Sequence, residues 1–237
     1  MSVYAVSDLH GRLDLYKKIK EFLKPGDKVY CLGDCGDRGP EPWKTIEAVY
    51  TDPQFIYLKG NHEDMLVKAA NEYYKDDGYI SNQRLLYANG GFNTLEQMIE
   101  TGFVSEWARA LNELPVYATY TNEYGLTFLI SHAGFTPTEE ELKTGEVKRL
   151  DKDLLWDRDH YIFDDKWPPN GDDFVVIHGH TPIPHMVDEI YLDCEWEEGV
   201  LWYCNDHKVC LDQGAVWTGK TVLLDLDTLD EHIFEIK

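Results

Sequence analysis

Lys28-Val29-Tyr30-Cys31-Leu32-Gly33-Asp34 is the stretch on which the fold turns. Five residues suited to a buried strand end at a glycine, and a carboxylate comes at once after it. The same join recurs four times. Val3–Val6 runs into Asp8-Leu9-His10-Gly11, Phe55–Leu58 into Gly60-Asn61-His62, Leu126–Ile130 into His132-Ala133-Gly134, and Phe174–Ile177 into Gly179-His180-Thr181. Ligands of open α/β sheets gather at the carboxyl ends of strands, so five such turns predict one shared crevice. The glycines let the backbone bend sharply and approach closely.

Between these joins the chain alternates. Arg12–Leu23 carries apolar residues at Leu13, Tyr16, Ile19, Phe22 and Leu23 and reads as an amphipathic helix, stopped by Pro25-Gly26. Pro40–Tyr50 and His62–Tyr74 read as further helices, with Gln54–Leu58 a strand between them. Ser81–Leu114 reads as helical apart from a break at Asn89-Gly90-Gly91, and Asn93-Thr94 is placed to cap the next helix. Strands then dominate. Val116–Thr121 and Leu126–Ile130 flank a turn as a hairpin, and Phe174–Ile177, Val200–Cys204, Lys208–Leu211 and Thr221–Leu226 continue the pattern. Asp188–Glu198 reads as an acidic loop or hairpin. The expectation is an α/β fold of two packed sheets with helices outside. With no repeat, low-complexity tract or linker, residues 1–237 are expected to form a single domain.

Length and charge narrow the function. At about 150 residues per domain, 237 residues make one large unit or two small ones. The longest apolar run, Val200–Cys204, is far below the ~20 residues that span a bilayer. The first residues lack a basic segment followed by an apolar core, so a cytoplasmic protein is expected. Acids outnumber Lys and Arg by 44 to 22, a formal charge of −22. Such a surface repels nucleic acids and anionic membranes, whose binding relies on Lys and Arg. Cys31, Cys35, Cys194, Cys204 and Cys210 form no Cys-x-x-Cys pair and read as reduced thiols. Zinc held by Cys194, Cys204 and Cys210 is the lesser alternative, because the spacings are unlike zinc patterns.

The polar ends of the strands supply the chemistry. Asp8, His10, Asp34, Asn61, His132 and His180 offer two carboxylates, three imidazoles and one amide oxygen. That set is too large for one structural zinc, too rich in imidazole for calcium, and suited to two transition metals. Asp34 is the natural bridge. Any one of these histidines alone reads as an ordinary core or surface residue; five coincident strand ends do not. Two metals would activate water, clamp the oxygens of an in-line displacement, and hold an anionic phosphate against the −22 surface.

Asp8-Leu9-His10-Gly11, Gly33-Asp34-Cys35-Gly36-Asp37-Arg38-Gly39, Gly60-Asn61-His62-Glu63, His132-Ala133-Gly134 and Gly179-His180-Thr181-Pro182 together resemble the metallophosphoesterases. Within them the likeness is to the phosphoprotein phosphatase family, in its bacterial and phage serine/threonine form. Leu211–Val216 resembles the family's closing segment, so the likeness covers nearly the whole chain. It implies a four-layer, calcineurin-like fold of two mixed sheets flanked by helices, with residues 81–114 as a helical insert. It assigns Asp8, His10 and Asp34 to a first metal and Asp34, Asn61, His132 and His180 to a second. Manganese is the expected ion, with iron or zinc as alternatives.

The resemblance also makes His62 a general acid oriented by Asp37, and sets Arg38 and Arg158 as forks on the phosphate. Arg158 is carried by Leu154-Leu155-Trp156-Asp157-Arg158. Hydrolysis would be direct, by metal-bound hydroxide, without a phosphoenzyme. Cys35-Gly36 and Gln213 depart from the usual pattern and bear on pocket shape only; Cys35 reads as a small buried filler. Glu63 reads as an acid favouring a helix start, His178 as supporting, and His160, His185, His207 and His232 as ordinary surface or core residues. The function implied is a metal-dependent phosphomonoesterase acting on phosphoserine or phosphothreonine in proteins, with phosphotyrosine as a further substrate. A diadenosine tetraphosphate hydrolase is the nearest alternative, and a non-catalytic phosphate-binding module a remote one. Oligomeric state is not legible.

Overall fold

The computed structural model describes residues 1–73, 80–144, 146–159, 173–188 and 196–236. Tyr74, His160, Cys194 and residues 189–195 of the acidic excursion lie outside the described residues.

Strand β1 (Val3–Val6) shows how the layers arise. Its side chains alternate: Val3 and Ala5 join one apolar cluster, Tyr4 and Val6 another. A strand buried on both faces needs cover on both. Helices α1 (Leu13–Phe22), α2 (Pro42–Thr51) and α3 (Asn61–Tyr73) contribute to the cluster on one side. A second sheet covers the other.

The first sheet adds β2 (Lys28–Cys31), β3 (Phe55–Tyr57), β9 (Lys220–Asp225) and β10 (Glu231–Glu235), in the order β10-β9-β1-β2-β3. Strands β1, β2 and β3 run parallel, while β9 is antiparallel to β1 and β10 is antiparallel to β9. The second sheet holds β4 (Tyr117–Thr121), β5 (Thr127–Ser131), β6 (Phe174–His178), β7 (Leu201–Tyr203) and β8 (Lys208–Cys210), in the order β4-β5-β6-β8-β7. Its central strands β5, β6 and β8 are also parallel. Ala5, Leu32, Phe128, Ile130, Ile177, Val209 and Leu224 fill the space between the sheets. On the far face Leu129 and Val176 meet Leu142 of α7 (Glu139–Thr144) and Leu154 of α8 (Asp151–Trp156). Two mixed five-stranded sheets with helices outside are therefore the architecture. Among the described residues, no helix is long and apolar enough to cross a membrane.

Residues 81–112 differ from the sequence reading in two ways. Besides the break at Asn89-Gly90-Gly91, Gly102 takes φ +75° and splits the segment again, giving α4 (Ser81–Ala88), α5 (Phe92–Glu100) and α6 (Val104–Asn112). Asn93-Thr94 does not cap: α5 starts at Phe92, so both residues lie within it. Gly91 precedes the helix because a Cβ there would lie 2.2 Å from Leu86 and 2.8 Å from Asp37. Edge strand β10 is a further addition to the sequence reading. Its sequence, Glu-His-Ile-Phe-Glu, is half-buried or exposed throughout and, among the described residues, pairs only with β9. The short helices α7, α8, α9 (Ile183–Asp188) and α10 (Ala215–Thr218) are likewise additions.

Gly33 marks a close approach of two turns. Its φ is +95°, and a Cβ would stand 2.4 Å from the backbone nitrogen of Gly60. Gly102 has a similar φ with nothing within 4 Å. Gly102→Ala should therefore cost only the left-handed penalty, about 1–2 kcal/mol. Gly33→Ala, colliding with backbone that cannot rotate away, should exceed that by at least about 2 kcal/mol in denaturant unfolding. Equal losses would show that the β2 and β3 turns can separate freely.

Candidate metal centre

The five strand ends meet. Backbone bonds lock the turns together: His10 N–H to Asp34 O (2.9 Å), Gly11 N–H to Cys35 O (2.7 Å), Asp8 N–H to Gly33 O (3.3 Å) and Gly179 N–H to His132 O (2.8 Å). Among the described residues ten non-glycines take positive φ, and Asp8, His10, Asp34, Asp37, Arg38 and His180 are six of them. Left-handed backbone outside glycine costs of order 1–3 kcal/mol per residue and concentrates at functional sites.

Asp34 lies at the middle. Its Oδ1 accepts the backbone N–H of His62 (3.0 Å), which turns Oδ2 toward the imidazoles. Oδ2 lies 3.6 Å from His10 Nε2 and 3.4 Å from His132 Nε2. Asp8 Oδ1 is 4.0 Å from His10 Nε2. On the other side, Asn61 Oδ1 sits 2.7 Å from His132 Nε2 and 3.0 Å from His180 Nδ1. Among the described residues, Asp34 thus joins two groups of convergent donor atoms, one with His10 and His62 and one with His132 and His180; Asn61 lies within the second, and Asp8 stands beside His10.

Tautomers sharpen the picture. His10 Nδ1 faces the carbonyl of Gly36 and His132 Nδ1 that of Leu32, each at 2.9 Å. A carbonyl only accepts, so Nδ1 carries the proton and Nε2 presents a lone pair. The His10 Nε2 lone pair then accepts from Arg38 (2.9 Å), while that of His132 faces Asn61 Oδ1 (2.7 Å) and Asp34 Oδ2 (3.4 Å). Burial pushes the Asp8 carboxyl up, and burial with the nearby Glu63 and Asp8 pushes Asp34 well up. Burial likewise holds His10, His132 and His180 below the usual imidazole value. Asp8 Oδ1, fully buried, has no hydrogen-bond partner. The His132 lone pair set against the Asn61 and Asp34 oxygens, and the orphaned Asp8 oxygen, are satisfied by cations, so this donor set fits divalent metal ions.

Glu63 holds the turns in place. Its Oε2 accepts the N–H groups of Asp34 and Gly60, both at 2.8 Å; its Oε1 accepts Cys35 N–H (3.0 Å) and the Tyr57 hydroxyl (2.7 Å). The bond to Gly60 is the capping-box contact expected of an acid at a helix start. The bonds to Asp34 and Cys35 had no sequence signal, since they are to backbone amides 29 and 28 residues away.

The remaining predicted residues lie beside the donors. His62 Nδ1 is 2.5 Å from Asp37 Oδ2. Arg38 reaches His10 Nε2 (2.9 Å) and His62 Nε2 (2.8 Å) through its two terminal nitrogens. Arg158 donates to the Thr181 hydroxyl (3.2 Å), next to His180. Cys35 and Cys31 are buried with sulfurs 3.3 Å apart. His178 Nε2 meets the Tyr203 hydroxyl at 2.7 Å. His185 packs near Trp217, His207 Nδ1 meets Phe174 O, and His232 packs on Phe22, each in a different neighbourhood.

The comparisons with known proteins agree. The calcineurin-like phosphoesterase family model matches residues 1–216. The chain belongs to that family, whose members are metal-dependent hydrolases of phosphoesters. It is 25% identical to a symmetrical bis(5'-nucleosyl)-tetraphosphatase of Pseudomonas syringae pv. syringae, over 98% of this chain and 91% of that protein. It is 26% identical to serine/threonine-protein phosphatase 2 of Escherichia coli K12, over 81% of this chain and 86% of that one. Among solved structures, a protein serine/threonine phosphatase from Saccharomyces cerevisiae superposes with TM-score 0.62 at 14% identity, covering 100% of this chain and 80% of its own.

A glutamine amide in place of the Glu63 carboxylate, whichever way it turned, would set its NH2 against donors rather than acceptors. Glu63→Gln should therefore cost about 2 kcal/mol or more, which at this chain length lowers the thermal midpoint by roughly 4–8 °C. A midpoint within about 1 °C of the parent would show the clamp to be dispensable.

Proposed function

We propose that this protein is a phosphomonoesterase that removes phosphate from phosphoserine or phosphothreonine in proteins, using two divalent metal ions with manganese foremost. Asp8, His10 and Asp34 would hold one ion, and Asp34, Asn61, His132 and His180 the other. When bound, the ions supply Lewis acidity, lowering the pKa of water and stabilising charge on phosphoryl oxygens. Arg38 and Arg158, on opposite sides of the donor cluster, would orient the phosphate by forked hydrogen bonds that lysine cannot make. We further propose one catalytic domain over residues 1–237, with residues 81–114 inserted, and a cytoplasmic setting, which the free thiols support.

The observation carrying the substrate class is the buried His62–Asp37 contact of 2.5 Å. A serine or threonine alkoxide leaves poorly and needs a proton as the P–O bond breaks; His62 Nε2, which accepts from Arg38 in this structure, would take up a proton when Arg38 turns to the phosphate and then donate it, while Asp37 holds Nδ1. A nucleotide leaving through a phosphate oxygen needs that proton far less. A dinucleoside polyphosphate hydrolase is the second reading, supported by the likeness to the Pseudomonas enzyme over nearly the whole chain.

Manganese-loaded protein should release phosphate from a phosphoserine peptide much faster than it cleaves diadenosine tetraphosphate. The reverse preference would replace the first reading by the second. His62→Asn should lower peptide turnover by about 10²–10⁴-fold with bound metal unchanged by elemental analysis. Asp34→Asn should lose bound metal along with activity, and retention of two ions would remove Asp34 as the bridge.

A further inference from the structure

We propose that Thr94, contributed by helix α5, is a positioning residue that fixes Asp37 and through it the proton-donating face of His62. This rests on the reading of His62 as the general acid and extends it by one residue outward. Thr94 is fully buried. Its hydroxyl oxygen accepts the backbone N–H of Asp37 at 3.1 Å and donates its own proton to Asp37 Oδ1. Because the oxygen is already engaged as an acceptor on one side, the direction of its O–H is set rather than free.

Asp37 needs such a hold. It adopts φ +64°, so its side chain leaves the chain from a left-handed residue instead of a regular element. One carboxylate oxygen faces His62 and the other faces Thr94, which leaves the carboxylate no rotation that keeps both bonds. Burial pushes Asp37 up to about 7, and the Thr94 hydrogen bond works in the opposite direction by favouring the charged form. The same segment fixes the neighbouring residue: Arg38 donates its backbone N–H to Gly90 O (3.2 Å) and its Nε to Asn89 O (3.4 Å). Gly91 stands where a Cβ would lie 2.8 Å from Asp37 Oδ2. The junction of α4 and α5 is thus fitted to Asp37-Arg38 by backbone, by a hydroxyl and by missing side chains.

In the step concerned, a water oxygen bonds to phosphorus as the ester P–O bond breaks with its electron pair on the leaving oxygen; His62 Nε2, protonated once Arg38 has turned from it to the phosphate, gives its proton to that oxygen, and the water's proton leaves with the phosphate or to solvent. Thr94 touches neither group. Its effect should therefore appear only where the leaving group needs the proton.

Phenyl phosphate, with a poor leaving group, and 2,4-dinitrophenyl phosphate, with a good one, separate the cases on manganese-loaded enzyme. Thr94→Val keeps the branched shape and removes the hydroxyl; kcat for phenyl phosphate should fall about tenfold, a part of what general-acid catalysis supplies. KM and the dinitrophenyl rate should stay within about twofold, and Thr94→Ser should restore the phenyl phosphate rate. Thr94→Ala, measured beside it, must show the same leaving-group dependence, so that a Val variant failing to fold does not decide the matter. In a His62→Asn background, Thr94→Val should add nothing. Equal losses on both substrates, no loss, or full additivity with His62→Asn would each overturn the role of Thr94 while leaving His62 in place. A His62→Asn enzyme with the parent's phenyl phosphate rate would instead overturn the general-acid reading itself.

Discussion

One buried carboxylate ties two strand ends together. Glu63 collects the amides of Asp34, Cys35 and Gly60 and the hydroxyl of Tyr57, so the turns after β2 and β3 share a single anchor. Hydrogen bonds to a charged group contribute roughly 1.5–3 kcal/mol each, together more than the cost of holding Asp34 in a left-handed conformation. With Asp34 held, its Oδ1 receives the His62 amide, and its Oδ2 is left to face His10 and His132. The order of dependence runs from Glu63 to the turns, from the turns to Asp34, and from Asp34 to the donor cluster. Asn61 and His62 begin the helix that carries Glu63, which couples the clamp to both halves of the site.

A site of this kind works against local stability. It gathers six left-handed residues, two buried carboxylate donors and four buried imidazoles at one end of two sheets. Burial moves the acids up and the bases down, so each group tends toward neutrality and toward presenting lone pairs. The rest of the fold is arranged to tolerate this. Parallel strands β1, β2, β5 and β6 are packed between two apolar layers, and their ends are cross-linked by backbone bonds from turn to turn. Rigidity behind the site lets strained residues persist within it.

The donor set is legible because its chemistry demands particular residue types, and the sheet places them just after buried strands. Asp8, His10, Asp34, Asn61, His132 and His180 can each be named from that rule, and the structure brings all six together. Their supports are far less visible. Thr94 reads as a helix cap because threonine soon after a glycine break often is one, and its partner lies 57 positions away. Glu63 shows only its local half, since bonds to distant backbone amides leave no pattern in side-chain identity. β10 escapes notice for a different reason: an edge strand with one neighbour needs no continuous apolar run.

The chain's charge bears on which anions the site would admit. At −22, the surface repels every anion at a distance, and more strongly the more charges that anion carries. Under the proposed function, cations held at the donor cluster would reverse the field only within a Debye length, about 8 Å at physiological ionic strength. A single phosphoryl group would have its charge where that reversal acts, and the acidic surface would then weigh against more highly charged polyphosphates. Asp37 and His62, held from the helical segment, would add a preference for leaving groups that must be protonated. Field and proton donor are separate features of the chain, and on the proposed reading both would act in the same direction.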